Sequence, residues 1–432
     1  MDIKQIITKK RDHQSLTKQE IEYFVTNYTN GTITDYQVAA LTMAIYLNGM
    51  NEEETVYLTL AMANSGDILD LSELGTVVDK HSTGGIGDKV SLILVPIISS
   101  LGIPVAKMSG RGLGYTGGTI DKLETIPGYQ TNLTTKEFME NVKKVGACLI
   151  GQTLNLAPAD KKLYSLRDAI CTTESIPLIS SSIMSKKIAA GASKIVLEVT
   201  CGSGAFMKDR KQATTLAQMM QKIGKMTNKQ TICVITNMEQ PLGKAVGNSL
   251  EVLEATRFLK GTMQEDVKEV VLALGAYMIK LAGKGEDIEE NKRKMLEQVK
   301  SGAAFSKYKQ WIASQGGDIS YLEDPAKWKK ASYILPLIAK KTGYVTKLDA
   351  EKIGEIAMQL GAGRLKKEDA IKPEVGIVLE KKIGEKVEEG EILAYIHADE
   401  ETLAQKAKQD LEKVYEMGEK QQETKTVLEI LM

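Results

Sequence analysis

The first ~70 residues carry apolar positions at helical spacing, with no strand-like alternation between them. Thr17-x-x-Glu20 and Thr34-x-x-Gln37 have the form of capping boxes, and Asn51 precedes three glutamates that suit a helix start. Gly31 and the pair Asn48-Gly49 fall at the breaks. This pattern predicts a small all-helical domain. From Gly75 the pattern changes to short apolar runs separated by helical stretches. The runs are Val77-Val78, Ile103 to Ala106, Ala147 to Ile150, Ile195 to Val199 and Ile232 to Ile235. Strands alternating with helices predict a large α/β domain with a mainly parallel sheet and active-site loops at the strands' carboxyl ends. The segment 163–193 interrupts the rhythm with helical propensity and is expected to return to the helical domain. Residues 251–300 read as charged helices packed on the sheet. From Val375 to Ile396 short alternating strands with glycine turns predict a β-rich hairpin subdomain.

The expected organisation is therefore 1–66 with 163–193 as the helical domain, 75–155 with 195–335 as the α/β domain, and 336–432 as a C-terminal β-rich subdomain of the α/β lobe. Hinges are expected near 66–79, 155–162 and 194–196.

Composition narrows the function. Among 432 residues, hydrophobic ones make up 43% and charged ones 26%, as in globular proteins. Lys+Arg and Asp+Glu balance at 56 each, which argues against a nucleic-acid surface, so an anionic ligand must be held by a local site. No apolar run approaches a membrane span, and the N-terminus lacks the apolar core of a signal peptide. The cysteines Cys148, Cys171, Cys201 and Cys233 lack metal-site spacing and fit free thiols in a reducing cytoplasm. Three histidines (His13, His81 and His397) are too few for a multi-histidine metal centre.

Candidate chemistry sits in two loops. Asp79-Lys-His-Ser-Thr-Gly-Gly-Ile-Gly-Asp-Lys-Val-Ser91 follows the first strand. Its glycines let backbone N–H groups approach an anion, its hydroxyls donate directionally, Lys80 supplies charge, and a helix N-terminus follows. It is neither a Walker loop nor a dinucleotide fingerprint. The second loop, Lys107 to Glu124, has five glycines within nine residues beside Ser109, Arg111, Thr116 and Thr119. Two such loops at adjacent strand ends can converge on one anion.

The second loop resembles the S-G-R-G-L-G-x-T-G-G-T-x-D-K-L-E signature of the thymidine/pyrimidine-nucleoside phosphorylases, with every fixed residue present and Tyr115 at the variable place. The first loop resembles that family's K-H-S-T-G-G-x-G-D phosphate segment. The likeness continues through Pro158 to Asp168, Ser182 to Lys187, Gly202 to Lys208 and the glycine-turn tail, essentially end to end. The closest likeness is to the bacterial broad-specificity enzymes.

The resemblance implies reversible phosphorolysis of uridine, thymidine and deoxyuridine in a cytoplasmic homodimer joined through the helical domain. Inorganic phosphate is the co-substrate and no organic cofactor is involved. Lys80, Ser82, Ser91, Ser109 and Thr119 would bind phosphate, with His81, Lys107 and Met108 beside them. His81, Arg167, Ser182 and Lys186 would bind the pyrimidine, and His81, Arg167 and Lys186 would act in catalysis. Donors aimed at O2, N3 and O4 stabilise the leaving base most as its charge develops. Leu113, Tyr164, Phe206 and Met207 are candidates for lining the base pocket. Lys107 stands where strict thymidine enzymes tend to carry an apolar residue, and an ammonium there can donate to a ribose 2′-hydroxyl.

In bacterial relatives, positions matching Gly87, Lys89, Leu242, Ala245 and Glu254 surround a potassium ion. The chain departs at Lys89, where the closest relatives carry threonine. An inward ammonium would replace the ion, whereas a side chain turned away would leave it. Two rival readings follow from the fold and the tail. An anthranilate-type phosphoribosyltransferase would need an acidic magnesium pattern that is not evident. The tail resembles biotinyl/lipoyl hairpins but lacks their carrier lysine setting, which favours a structural role.

Overall fold

The computed structural model describes residues 1–112, 114–115, 117–151, 155–364, 366 and 369–432. Four helices, Ile3–Arg11, Lys18–Thr29, Asp35–Asn48 and Glu52–Ala63, open the chain. The predicted caps form. Glu20 N donates to Thr17 Oγ1 at 3.3 Å while Thr17 N donates to Glu20 Oε2 at 2.8 Å. Asn51 and Glu54 cap each other reciprocally at 2.8 Å. Each such cap contributes roughly 1 kcal/mol. Glu54 also receives the buried Lys10 ammonium at 2.8 Å and the Leu16 amide at 2.8 Å, so one carboxylate ties three segments together.

The helices Pro158–Ala169 and Ile176–Ala189 return to this bundle, and Leu163 and Leu178 share its core with Ile21, Phe24 and Leu41. The return begins at Pro158, whose fixed φ suits the first turn of a helix. Ile183 and Met184 on the second returning helix pack with Ile195, Leu197 and Cys233, so this helix joins the bundle to the sheet.

Five strands overlap the five apolar runs, β1 (Val78–Ser82) and β2 (Val105–Ser109) starting later and running on into the loops, with β3 (Ala147–Gly151), β4 (Lys194–Cys201) and β5 (Gln230–Asn237) covering the other three. β1, β4 and β5 run parallel, with Val78 opposite Lys194 and Lys194 opposite Gln230. β2 and β3 form a separate parallel pair, with Val105 opposite Ala147. Parallel strands are covered on both faces, which is why these runs are continuously apolar rather than alternating. Helices Asn248–Leu259, Glu265–Leu281 and Ile288–Lys300 occupy the region read as helical, and Val271, Leu274 and Met278 share a core with Val196 and Val234.

The remaining strands are β6 (Ala245–Val246), β7 (Tyr333–Ile338), β8 (Gly343–Leu348), β9 (Gly376–Leu379), β10 (Lys386–Val387), β11 (Ile392–Ala398), β12 (Tyr415–Gly418) and β13 (Val427–Leu431). They build two small sheets, β6-β9-β11-β7 and β10-β8-β12. β13 leaves this subdomain and pairs antiparallel with β5, Ile430 opposite Val234, closing the edge of the α/β sheet. The carboxyl ends of β1, β2 and β4 open toward one side, where both glycine-rich loops lie.

Candidate active site

β1 presents Lys80, His81 and Ser82 as its last three residues. The Lys80 ammonium is buried 2.7 Å from Glu198 Oε2 on β4 and 3.8 Å from Asp88 Oδ1. Burial alone would lower its pKa, but Asp88 and Glu198 outweigh that and hold it above the ordinary lysine value. Asp88 is held down to about 2, because Lys80 and Lys122 overcome the opposing effect of burial. Ser82 Oγ accepts from the Gly84 amide at 3.2 Å, which curls the loop back over the strand end. Thr83 Oγ1 accepts from the Thr200 amide at 3.0 Å, pinning the loop to β4. The helix Val90–Ser100 follows directly, with Ser91 buried in its first turn. Its free N–H groups and positive end face the loop side.

β2 brings Lys107, Met108 and Ser109 alongside. The Lys107 ammonium is buried, donates to the backbone carbonyl of Lys80, and lies 3.9 Å from Asp79 Oδ1. Its pKa falls to about 7, first through burial and then through the neighbouring charge of Lys187. The Met108 carbonyl accepts from Lys187 Nζ at 3.3 Å, and Lys187 pairs with Asp79 Oδ2 at 2.8 Å. Ser109 ends the strand, and Thr119 opens the helix Thr119–Leu123. Asp121 organises the loop between them. Its Oδ2 accepts the Gly112 amide at 2.7 Å and its Oδ1 accepts Arg364 Nη2 at 2.8 Å. Any Cβ at Gly118 would lie 2.1 Å from the Gly112 nitrogen, so this crossing requires glycine. Lys122 couples the two loops, donating to the Asp88 carbonyl at 2.6 Å and pairing with Glu251 at 2.7 Å.

The helical side supplies Arg167, Ser182 and Lys186. Arg167 is buried, and three of its five N–H groups donate to the carbonyls of Thr172 (3.2 Å), Leu178 (3.1 Å) and Thr173 (2.8 Å). These bonds fix the guanidinium at the turn between the two returning helices. Burial lowers its pKa to about 10, leaving it charged near neutrality. Lys186 donates to Ser182 Oγ one turn earlier at 2.8 Å and pairs with Asp160 Oδ2 at 2.6 Å. Tyr164 lies beneath both cations, its ring centre 5.8 Å from Lys186 Nζ and 5.9 Å from the Arg167 guanidinium carbon.

The two halves meet at His81. Its imidazole pKa is driven well below the ordinary value by burial, then by Lys187, Lys107, Lys186 and Lys80. The ring is therefore uncharged near neutrality, with one nitrogen able to donate and the other to accept a hydrogen bond. His13 and His397 lie elsewhere, on the exposed first helix–helix turn and on β11. Of the pocket-lining candidates, Met207 is buried in the core with Leu197, and Phe206 lies half-buried near Gly84. Leu113 lies outside the described residues. The acidic partners Asp79, Asp88, Asp160 and Glu198, and the cation Lys187, went unnoticed in the sequence, although Asp79, Asp88, Asp160 and Lys187 all stand inside its quoted motifs.

Leu242, Ala245 and Glu254 meet at the ammonium of Lys89, and Gly87 lies against the Leu242 and Ala245 carbonyls. Lys89 Nζ lies 2.7 Å from the Leu242 carbonyl, 3.0 Å from the Ala245 carbonyl and 2.7 Å from Glu254 Oε2. The Lys89 side chain is thus turned inward, toward the oxygens of the set read as a potassium site.

Comparison with known proteins agrees with this architecture. The helical bundle domain of a glycosyl transferase family matches residues 4–66, and that family's a/b domain matches residues 74–305. The pyrimidine nucleoside phosphorylase C-terminal domain matches residues 344–418. The pyrimidine-nucleoside phosphorylase of Geobacillus stearothermophilus is 52% identical over 399 residues, 92% of each chain. That of Staphylococcus aureus strain MSSA476 shows the same identity and coverage. The anthranilate phosphoribosyltransferase of Thermus thermophilus superposes with a TM-score of 0.59 at 17% identity, over 72% of this chain and 99% of that one, a likeness of fold.

Proposed function

Given that the chain belongs to the pyrimidine-nucleoside phosphorylase family, we propose that it cleaves uridine, thymidine and deoxyuridine reversibly with inorganic phosphate. The products are the free base and ribose or deoxyribose 1-phosphate. The observation that carries this reading is the meeting of two cations, Lys80 and Lys107, and hydroxyl donors from two loops with a second cationic cluster from the helical side, at one neutral histidine.

Phosphate binds between the loops on Lys80, Ser82, Ser91, Ser109 and Thr119, beside Lys107 and Met108. A phosphate oxygen attacks C1′ as the bond from C1′ to the base nitrogen breaks. The bonding electron pair leaves with the base and spreads over its ring oxygens and nitrogens. Arg167, Ser182 and Lys186 donate to that growing negative charge, and the His81 N–H adds one further donor. Phosphate and base sit on different lobes, so closure at 66–79, 155–162 and 194–196 brings them into line.

A homodimer through the helical domain is supported by Tyr36, Met43, Tyr46 and Leu47, exposed apolar residues at helical spacing along Asp35–Asn48. Among the described residues no helix is long and apolar enough to cross a membrane, and four free cysteines fit a reducing cytoplasm. The test is a phosphate-dependent cleavage assay with uridine and thymidine in parallel, following free base. Comparable cleavage of both is expected. Cleavage of thymidine alone would narrow the substrate range, and cleavage of neither would overturn the reading.

A further inference from the structure

The first loop and the segment that precedes the helix Asn248–Leu259 meet at one buried cation. Lys89 is the last residue before the helix Val90–Ser100, and its side chain is fully removed from solvent. An ammonium has three N–H donors, and three oxygens receive them: the Leu242 and Ala245 carbonyls and Glu254 Oε2, all within 3.0 Å. The cage has its own hydrogen bonds besides those to the lysine. Glu254 is oriented by the amides of Lys244 and Ala245, each at 2.8 Å. Gly87 has φ +76°, and a Cβ on it would stand 2.5 Å from the Leu242 carbonyl, so the loop must close tightly on the cage. A Cβ at Gly243 would stand 2.7 Å from Lys89 Nζ, so the other wall is equally close. Two convergent carbonyls and a carboxylate are the donor set of a monovalent cation site, and an ammonium carries the same charge at similar size.

We propose that Lys89 is a covalently tethered substitute for a monovalent metal ion. The tether locks the phosphate loop to the segment 242–245 and makes this chain indifferent to potassium. Its structural consequence falls two residues away, on Ser91 in the first turn of the helix that faces the phosphate site. Occupancy of a free-ion site rises and falls with salt, whereas a tethered ammonium is always present. Lys89 acts on phosphate through the loop and is a positioning residue.

The experiment compares melting temperatures of the full chain, without substrates, in potassium chloride and in tetramethylammonium chloride at equal ionic strength. Tetramethylammonium is too large for the cage. The readout does not depend on catalysis, so its outcome is separate from that of the phosphorylase assay. The wild type is expected to melt at the same temperature in both salts. Lys89→Thr is expected to melt several degrees lower in tetramethylammonium and to recover with potassium, in a saturable manner. Its KM for phosphate should rise several-fold without potassium and return with it, while KM for the nucleoside stays within twofold. Lys89→Gln supplies the same comparison should the threonine variant fold poorly. A saturable potassium-specific rise in the wild type overturns the proposal. So does an absence of potassium rescue in whichever variant folds.

Discussion

The ammonium of Lys186 lies 2.6 Å from Asp160 Oδ2, across the gap between the two helices that return to the bundle. The same ammonium donates to Ser182 Oγ at 2.8 Å. Asp160 is almost fully buried while Lys186 is about a quarter exposed, so the carboxylate is the fixed member of the pair. It holds the lysine in place, close enough for its charge to depress the His81 pKa. Asp160→Asn keeps the shape and removes the charge. We expect kcat/KM for uridine to fall roughly 10- to 100-fold, the worth of one charge-assisted hydrogen bond, with KM for phosphate unchanged. Steady-state kinetics with each substrate varied in turn will show whether the loss is confined to the nucleoside.

Lys80 and Glu198 form the corresponding fixed pair between β1 and β4, 2.7 Å apart and out of solvent. Glu198→Gln leaves the buried ammonium with Asp88 at 3.8 Å as its remaining carboxylate, so the cost should fall at or below about 3–5 kcal/mol, that of a fully broken buried pair. Glu198→Gln should therefore melt well below the wild type and bind phosphate more weakly. Replacing both residues together, Lys80→Met with Glu198→Leu, should recover much of the lost melting temperature but none of the activity. Recovery of activity in the double variant would show that Lys80 serves the fold alone.

How far the chain could be read in advance depended on what each feature rests upon. β3, β4 and β5 are visible because parallel strands covered on both faces are largely apolar, whereas β1, Val-Asp-Lys-His-Ser, is marked only by the valines at its start. The caps at Thr17 and Asn51 were visible because their chemistry is local, spanning three residues. β13 was not, since Val427–Leu431 is an edge strand whose partner β5 lies almost two hundred residues earlier, and nothing local marks that pairing. The split of β2 and β3 from the main sheet was equally hidden. In the site, the glycine-rich loops and their cations announced themselves, but Asp79, Asp160 and Glu198 did not. An isolated acid carries no spacing, and only folding brings Glu198 to Lys80. Lys89 was recognised as a departure, yet the direction of its side chain is a tertiary fact.

The Lys107 ammonium has a pKa of about 7, set by burial and Lys187 against Asp79. At pH 8 it is therefore mostly neutral in the phosphate-free protein. A phosphate dianion arriving beside it favours the charged form, so binding should draw in a proton. Below pH 6 the group is already protonated and the uptake should fade. Titration calorimetry at pH 8 in buffers of differing ionisation enthalpy is expected to report uptake approaching one proton per site. At that pH the ligand itself is mainly dianionic and contributes little. The same uptake in Lys107→Gln would place the proton elsewhere.

The exposed stripe on Asp35–Asn48 makes a separate claim about assembly. Tyr36 is 74% exposed and Leu47 is 72% exposed, levels at which an apolar side chain adds nothing to the fold of a single chain. Met43 and Tyr46 continue the stripe on the same helix. A covering partner would remove this area from water at about 25 cal/mol per Å². Leu47→Glu leaves the bundle core of Leu41 and Ile45 untouched and places a charge at the C-terminal end of the face. Sedimentation velocity should show a wild-type dimer and a variant shifted toward monomer, with the melting temperature of the monomer measured alongside to confirm that it is folded. A wild type that sediments as a monomer, or a dimer unmoved by the substitution, would assign the stripe another role. The helices Pro158–Ala169 and Ile176–Ala189 share their core with this bundle. With the nucleoside on these helices and phosphate at the strand ends of the other lobe, as proposed, loss of the dimer should raise KM for the nucleoside more than KM for phosphate.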